Sequence, residues 1–423
     1  MKKKLKKLLS VMGPGFITGA SDDDPSGIAT YAQTGAFFGY SQLWTALFAF
    51  PFMTFVQEMC GRIGLVTGRG LAQVIREHYS KKILIVIVAL LVIANTINVG
   101  ADLGAMTAAS QLLLGGPYIL WLVGITFVSI FAQIVVPYPS YARVLKYLTL
   151  SLFAYVISAF IVKQDWRAIG LATFVPYLSI SKDYVMNVVA ILGTTISPYL
   201  FFWQADEEVE EEVEHHRLKT AGKGRPIIKR GDIAELRLDT IVGMLFSQLV
   251  MFFIIITTAA TLHAQGITAI NTADQAAQAL RPIAGQFAFL VFALGILGTG
   301  FLAVPILAGS SAYALGEAFK LKVGLSKTFK EAPAFYMILS VLVLLAMCVN
   351  FLPIPPFKLL YYTAILNGLI APPLMFMILA ISNNKKIMGK HTNSIWSNTF
   401  GVIIALVMSA AGVAVILQLA KGL

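Results

Sequence analysis

Charge is scarce in this chain. Only 13% of its 423 residues are Asp, Glu, Lys or Arg, and 57% are hydrophobic. A soluble domain carries about 25% charged residues, so the composition excludes a water-soluble fold and implies an integral membrane protein. Cysteine is nearly absent. Cys60 and Cys348 lie in different apolar runs near opposite membrane faces, so no disulfide is expected, and two cysteines identify no redox compartment. The five histidines (His78, His215, His216, His263 and His391) all avoid span centres, which leaves no imidazole to relay protons at mid-membrane. The ten-residue alternation of an outer-membrane barrel is also missing. The apolar runs are helix-length, and the expected class is an all-α integral membrane protein. No acid paired with a nucleophile at motif spacing stands out, so no enzyme is expected. Gly295-Ile-Leu-Gly-Thr-Gly300 has the glycines of a nucleotide loop but lies inside a span with no strand before it, which favours close helix packing.

What is present is a series of eleven apolar spans: 11–38, 43–61, 83–113, 117–136, 143–162, 186–205, 238–262, 286–318, 334–352, 357–381 and 397–420. The third and eighth are long enough to tilt or to extend past the bilayer. The net charge of +11 invites a nucleic-acid partner. Charge placement argues otherwise. With the N-terminus inside, 26 of the 32 lysines and arginines fall in cytoplasmic connections, as the positive-inside rule requires. The expected setting is the inner (plasma) membrane, with the N-terminus cytoplasmic and the C-terminus outside. The lysine-rich start, Met1 to Leu8, lacks a clear small-residue cleavage site and reads as a retained cytoplasmic anchor. The expected partner is the lipid bilayer, with no nucleic acid, no cofactor and no obligatory protein partner.

Two spans are interrupted. The first contains Ser21-Asp22-Asp23-Asp24-Pro25-Ser26-Gly27. Three carboxylates at membrane depth are costly, and Pro25 with Gly27 cannot continue a regular helix. Irregular backbone and charge are tolerated there only around a protein-buried or watery site. The segment therefore reads as a broken helix whose break binds a cation. The sixth span carries Gly193-Thr-Thr-Ile-Ser197-Pro198-Tyr199 at its middle. The two breaks lie five spans apart, so residues 1–164 and 186–382 form inverted five-helix repeats, with 397–420 as an extra helix. Paired breaks in inverted repeats point to a transporter site at the midplane.

At these breaks the chain resembles the Nramp divalent-metal transporters, and more closely a divergent, Nramp-related branch. Gly13-Pro14-Gly15-Phe16, Asp24-Pro25 and Phe38-Gly39-Tyr40 match the family's first helix. The family signature Asp-Pro-Gly-Asn here reads Asp24-Pro25-Ser26-Gly27, so the ligand asparagine has become Gly27. The sixth-helix motif Met-Pro-His reads Ser197-Pro198-Tyr199, which replaces the sulfur ligand and the histidine. A second family histidine falls on Gln204. Ala101-Asp102-Leu103 keeps the third helix's aspartate, but the glutamate expected after it is Ala105. The resemblance implies an inverted-repeat fold of the LeuT type and alternating access.

The substitutions have a chemical direction. A thioether favours softer transition metals. Ser197 in its place leaves oxygen donors around Asp24: the hydroxyls of Ser26, Thr194 and Ser197, and carbonyls freed by the breaks. Asp22 and Asp23 add carboxylates. An anionic, oxygen-rich site suits Mg²⁺ or Mn²⁺, with Fe²⁺ in the same class, as transported substrate rather than cofactor. Asn367 in the tenth span could line it. Asp102 and Tyr199 are candidates for a proton or coupling-ion pathway, with Asp22 or Asp23 as alternative proton carriers; Asp102 could equally be a helix-polar residue satisfied by a neighbouring hydroxyl. Asn95 and Asn98 could line the site or bond a neighbouring helix. A sodium-coupled carrier of amino acids or other small organic solutes is the alternative on this fold. The carboxylates at the break would repel such a substrate's own carboxylate.

After the sixth span, Asp206, Glu207, Glu208, Glu210 and Glu211 open an acidic run reaching Glu214. It reads either as a solvated helical extension pairing with Lys219 through Arg230, or as a cation-attracting cytoplasmic vestibule. Glu317, at the cytoplasmic end of the eighth span, is expected to be solvated.

Overall fold

The computed structural model describes residues 13–136, 152–229 and 231–420. The lysine-rich start, the first part of the 143–162 span with Arg143 and Lys146, Arg230 and Lys421 lie outside the described residues. Apart from one isolated bridge between Thr220 and Lys223, every regular element described is helical. The chain opens with α1 (Pro14–Asp22) and α2 (Pro25–Phe38), then α3 (Trp44–Thr67), α4 (Leu71–His78), α5 (Lys81–Leu114) and α6 (Tyr118–Val135). Next come α7 (Phe153–Ile161), α8 (Trp166–Phe174), α9 (Lys182–Thr195), α10 (Pro198–Glu214) and α11 (Asp232–Thr261). After the short α12 (Ala273–Gln278) follow α13 (Ala288–Ala318), α14 (Pro333–Cys348), α15 (Pro356–Asn383) and α16 (Ile395–Ala420).

Eight helical stretches are long and apolar enough to cross a membrane. Length and apolarity thus identify eight spans among the described residues, against eleven expected from sequence. The other three are the α1–α2 pair, α3, and the 143–162 stretch. Neither α1 nor α2 is long enough to cross by itself. α3 runs six residues past its expected end at 61, and Arg62 is neutralised in place. It pairs with Glu58 at 3.1 Å, and Arg237 reaches the same carboxylate at 2.9 Å.

Proline alone does not make the breaks. Pro305 and Pro372-Pro373 sit inside continuous helices. At Asp24 and Ser197 the residue before proline is extended (ψ 170° and 136°), and the proline then occupies the first turn of a new helix, where its missing N–H costs nothing. The start of α1 is capped from a distance. The Asp239 carboxylate on α11 accepts from the amides of Gly13 (3.0 Å) and Gly15 (2.7 Å). Asp239→Ala should therefore destabilise the fold by about 1–2 kcal/mol, the usual cost of losing a cap. Its unfolding midpoint in detergent should fall; an unchanged midpoint would refute the cap.

α11 lies along both α1 and α2 and splints the first break. α9 packs on α15, and α10 on α3 and α13. α5, about 50 Å long at 1.5 Å per residue, runs against α13 and α15. α6, α14 and α16 turn Phe127, Phe131, Met337, Leu344, Leu406 and Leu417 outward. Apolar exposure on that scale suits a lipid-facing perimeter. Both cysteines are free, Cys60 buried and Cys348 exposed.

Candidate functional site

α1 ends and α2 begins around Asp23 and Asp24. Asp24 is the N-cap of α2. Its Oδ1 accepts from the Ser26 hydroxyl and the Gly27 amide, each at 2.7 Å. That neutralises the positive end of α2, which would otherwise attract an anion. Oδ2 accepts from the Asn98 side-chain amide on α5 at 3.2 Å. Asp24, Ser26 and Asn98 are all buried.

The second break closes on the first. The Tyr199 hydroxyl, in the first turn of α10, donates to the Ser21 carbonyl at 3.1 Å. A Cβ at Gly27 would lie 3.1 Å from the Asp22 carbonyl oxygen and 3.1 Å from the Thr194 hydroxyl oxygen. One point beside Asp24 is thus flanked by an oxygen from each break. Glycine leaves that point open, whereas any side chain would crowd it. The negative ends of α1 and α9 both terminate here, which favours positive charge. The Ser197 hydroxyl points at the Gly193 and Thr194 carbonyls (2.7 and 2.6 Å). It has one proton to give, and its lone pairs remain available to a cation. A Cβ on Gly193 would collide with the Ala364 carbonyl and the Gly368 amide, so only glycine lets α9 pack backbone to backbone on α15 here.

The other sequence candidates are distributed around this centre. Asp22 and Asp23 are buried and turned to α11, where the Ser247 hydroxyl donates to Asp22 Oδ2 and lies 3.5 Å from Asp23 Oδ1. Among the described residues no three His, Cys, Asp or Glu side chains come together to hold a metal. Asp22 Oδ1 and Asp23 Oδ2 have no hydrogen-bond partner. Asp102 is buried on α5, one helical turn after Asn98, within Coulombic range of Asp24, and neither of its oxygens has a hydrogen-bond partner. A neighbouring hydroxyl thus does not satisfy it. Asn367 is buried on α15 beside Gly368, with its amide unpartnered. Asn95 bonds across to α13, at the Leu307 carbonyl and the hydroxyls of Ser310 and Ser311, and so serves helix packing. Asn98 is the site residue that sequence left open. Its one signal was the four-residue spacing to Asp102, which puts both on one helix face. Ser247 carried no signal at all.

At the other end of α10 one expectation fails and another holds only in part. Glu317 is not solvated: it is buried, and it accepts from the amides of Gly70 and Gln73, each at 2.9 Å. The acidic run is solvated only in part: Glu214 is exposed and Glu207, Glu210 and Glu211 are half-buried. Asp206, Glu208 and Glu212 are buried. Glu208 accepts from Gln204 (2.9 Å), Glu210 from Tyr313 (3.0 Å) and from Ser326, and Glu212 pairs with Arg217 (3.1 Å). Among the described residues no lysine from Lys219 onward pairs with the run, and α10 packs against α3 and α13.

The family model described as "Natural resistance-associated macrophage protein-like" matches residues 15–418. The chain belongs to the Nramp family. Among its relatives is the divalent metal cation transporter MntH of Yersinia enterocolitica, 26% identical over 408 residues, covering 95% of this chain and 93% of the relative. MntH of Caldanaerobacter subterraneus is 25% identical over 418 residues, covering 95% and 91%. Among solved structures, the Eremococcus coleocola manganese transporter in complex with an aromatic bis-isothiourea compound superposes with a TM-score of 0.73 at 16% identity, covering 97% of this chain and 87% of that one. Mhp1, a nucleobase-cation-symport-1 family transporter, superposes with a TM-score of 0.60 at 14% identity, covering 96% and 91%. This Nramp chain is thus an all-helical membrane protein with the LeuT-type fold that these transporters share. It belongs to a class of transporters, not enzymes.

Proposed function

We propose that this Nramp protein is a secondary transporter of divalent metal cations of the Mn²⁺, Mg²⁺ and Fe²⁺ class, working by alternating access with little or no proton coupling. The observation that carries the proposal is the meeting of the two breaks beside Asp24: Tyr199 bonds the Ser21 carbonyl, and oxygens of Asp22 and Thr194 flank the position of Gly27. Asp24 supplies the charge. Ser26, Thr194, Ser197 and the freed carbonyls supply neutral oxygen, and Asn367 adds an amide. Without sulfur or imidazole in that set, selectivity against Mg²⁺ is relaxed. The histidines His78, His215, His216, His263 and His391 all lie outside this set. Asp102, buried without a partner, is the group that would carry any proton, with Tyr199 beside it. The proposal puts the protein in the inner (plasma) membrane with its N-terminus cytoplasmic and its C-terminus outside.

The test is flux into liposomes. Purified protein should carry both Mg²⁺ and Mn²⁺ with saturation, while intraliposomal pH stays constant during driven uptake. Flux of another solute with neither metal would overturn the substrate class, and stoichiometric acidification would overturn the coupling. A second expectation concerns Asn98. A hydrogen bond to a charged acceptor contributes about 1.5–3 kcal/mol. Asn98→Ala should raise the half-saturating Mn²⁺ concentration about tenfold or more, since each 1.4 kcal/mol is a factor of ten. Unchanged saturation would make Asn98 a packing residue.

A further inference from the structure

The far end of α10 carries a carboxylate pair that the midplane site does not use. Asp206 on α10 and Glu317 at the end of α13 are both buried. They face each other across Gly70, where a Cβ would collide with Asp206 Oδ1 and with Glu317 Oε1. Gly70 has ordinary extended backbone (φ −69°, ψ 169°), so its conformation does not call for glycine. The two carboxyl groups filling the space of a side chain do. Glu317 commits both oxygens to the start of α4 through Gly70 N and Gln73 N. Asp206 Oδ2 is buried without a partner, and Asp206 is among the residues around a cavity of about 830 Å³, with Glu210 and Tyr313. The cavity rim is basic, with Lys320, Lys322 and Lys330 among its residues.

We infer that Asp206 and Glu317 form a second divalent-cation site, distinct from the midplane one, at the cytoplasmic end of α10. For the ion and the sidedness it rests on the function proposed above. Two adjacent buried carboxylates repel unless a cation or a shared proton joins them. An ion of the Mg²⁺ type binds through one or two carboxylates and keeps several waters, for which the adjoining cavity has room. The lysine rim weakens the site by Coulombic repulsion, so it fills only at high cytoplasmic metal. Asp206 lies nine residues beyond Ser197 on the same helix, about 14 Å along its axis, so an ion there ties the moving half-helix to α4 and α13.

The test uses Mn²⁺ alone, with binding to full-length purified protein followed by electron paramagnetic resonance and equilibrium dialysis. Asp24→Asn protein, with its midplane site disabled, should still bind one Mn²⁺. Adding Asp206→Asn should weaken that binding at least tenfold. Gly70→Ala, compatible with the backbone but intruding between the carboxyls, should do the same if the Asp206 variant fails to fold. No Mn²⁺ bound to the Asp24→Asn protein at millimolar concentration would overturn the second site and leave the pair sharing a proton. Retention after Asp206→Asn would overturn it too. Failure of the midplane assignment reads out separately, as equal Mn²⁺ binding by wild-type and Asp24→Asn protein.

Discussion

Asp24→Asn should abolish divalent-cation uptake, by a hundredfold or more, while leaving the helices in place. The substitution separates two jobs that one side chain performs. As N-cap, Asp24 accepts from Ser26 and Gly27 through a single oxygen, and asparagine caps a helix about as well as aspartate does. As ligand, it brings the negative charge to a set whose remaining members are hydroxyls, amides and carbonyls. A divalent ion stripped of water there without a carboxylate loses several kcal/mol of compensation, and a factor of a hundred needs about 2.7 kcal/mol. Asp22 and Asp23 share the Ser247 hydroxyl on α11, and the expected loss means that they do not replace Asp24 as the ligand. Mn²⁺ and Mg²⁺ flux into liposomes measures the loss, and the unfolding midpoint checks the fold. Persistent flux with an intact fold would remove Asp24 from the site and with it the proposed mechanism.

Ser197→Met should change which metal is carried rather than whether metal is carried. Ser197 stands at the break before α10 with its oxygen lone pairs uncommitted. A thioether there exchanges a hard donor for a soft one. Soft ligands favour Mn²⁺, Fe²⁺ and above all Cd²⁺ over Mg²⁺, which holds its water tightly and demands oxygen. The ratio of Mg²⁺ to Mn²⁺ transport, measured in competition, should fall about tenfold or more, since a ligand exchange worth 1.4 kcal/mol already gives that factor. Cd²⁺ should become a competitor of Mn²⁺. An unchanged Mg²⁺ to Mn²⁺ ratio in a protein that still transports would place Ser197 outside the ion's coordination.

The acidic run shows why some of the site resisted sequence reading. Seven acids in nine positions look solvated because unpaired charge avoids burial. What reverses that expectation for part of the run lies mostly far away in the chain. Tyr313 and Ser326 supply partners from more than a hundred positions on, Arg217 supplies one from nearby, and α3 and α13 supply the walls. Glu317 was misplaced for the same reason, since its partners are backbone amides at the start of α4. Backbone donors leave no mark in a sequence.

The broken first and sixth spans, their pairing, and the all-helical membrane class were decided by sequence alone. Hydrophobic run length and the cost of proline or carboxylates at membrane depth are local properties, written in consecutive residues. Which side chains meet was decided by the tertiary structure alone. Asn98 reaches Asp24 across 74 positions, Tyr199 reaches Ser21 across 178, and Ser247 draws Asp22 aside across 225. Those meetings depend on how α5, α10 and α11 rotate and cross, and that is set by packing summed over the whole bundle.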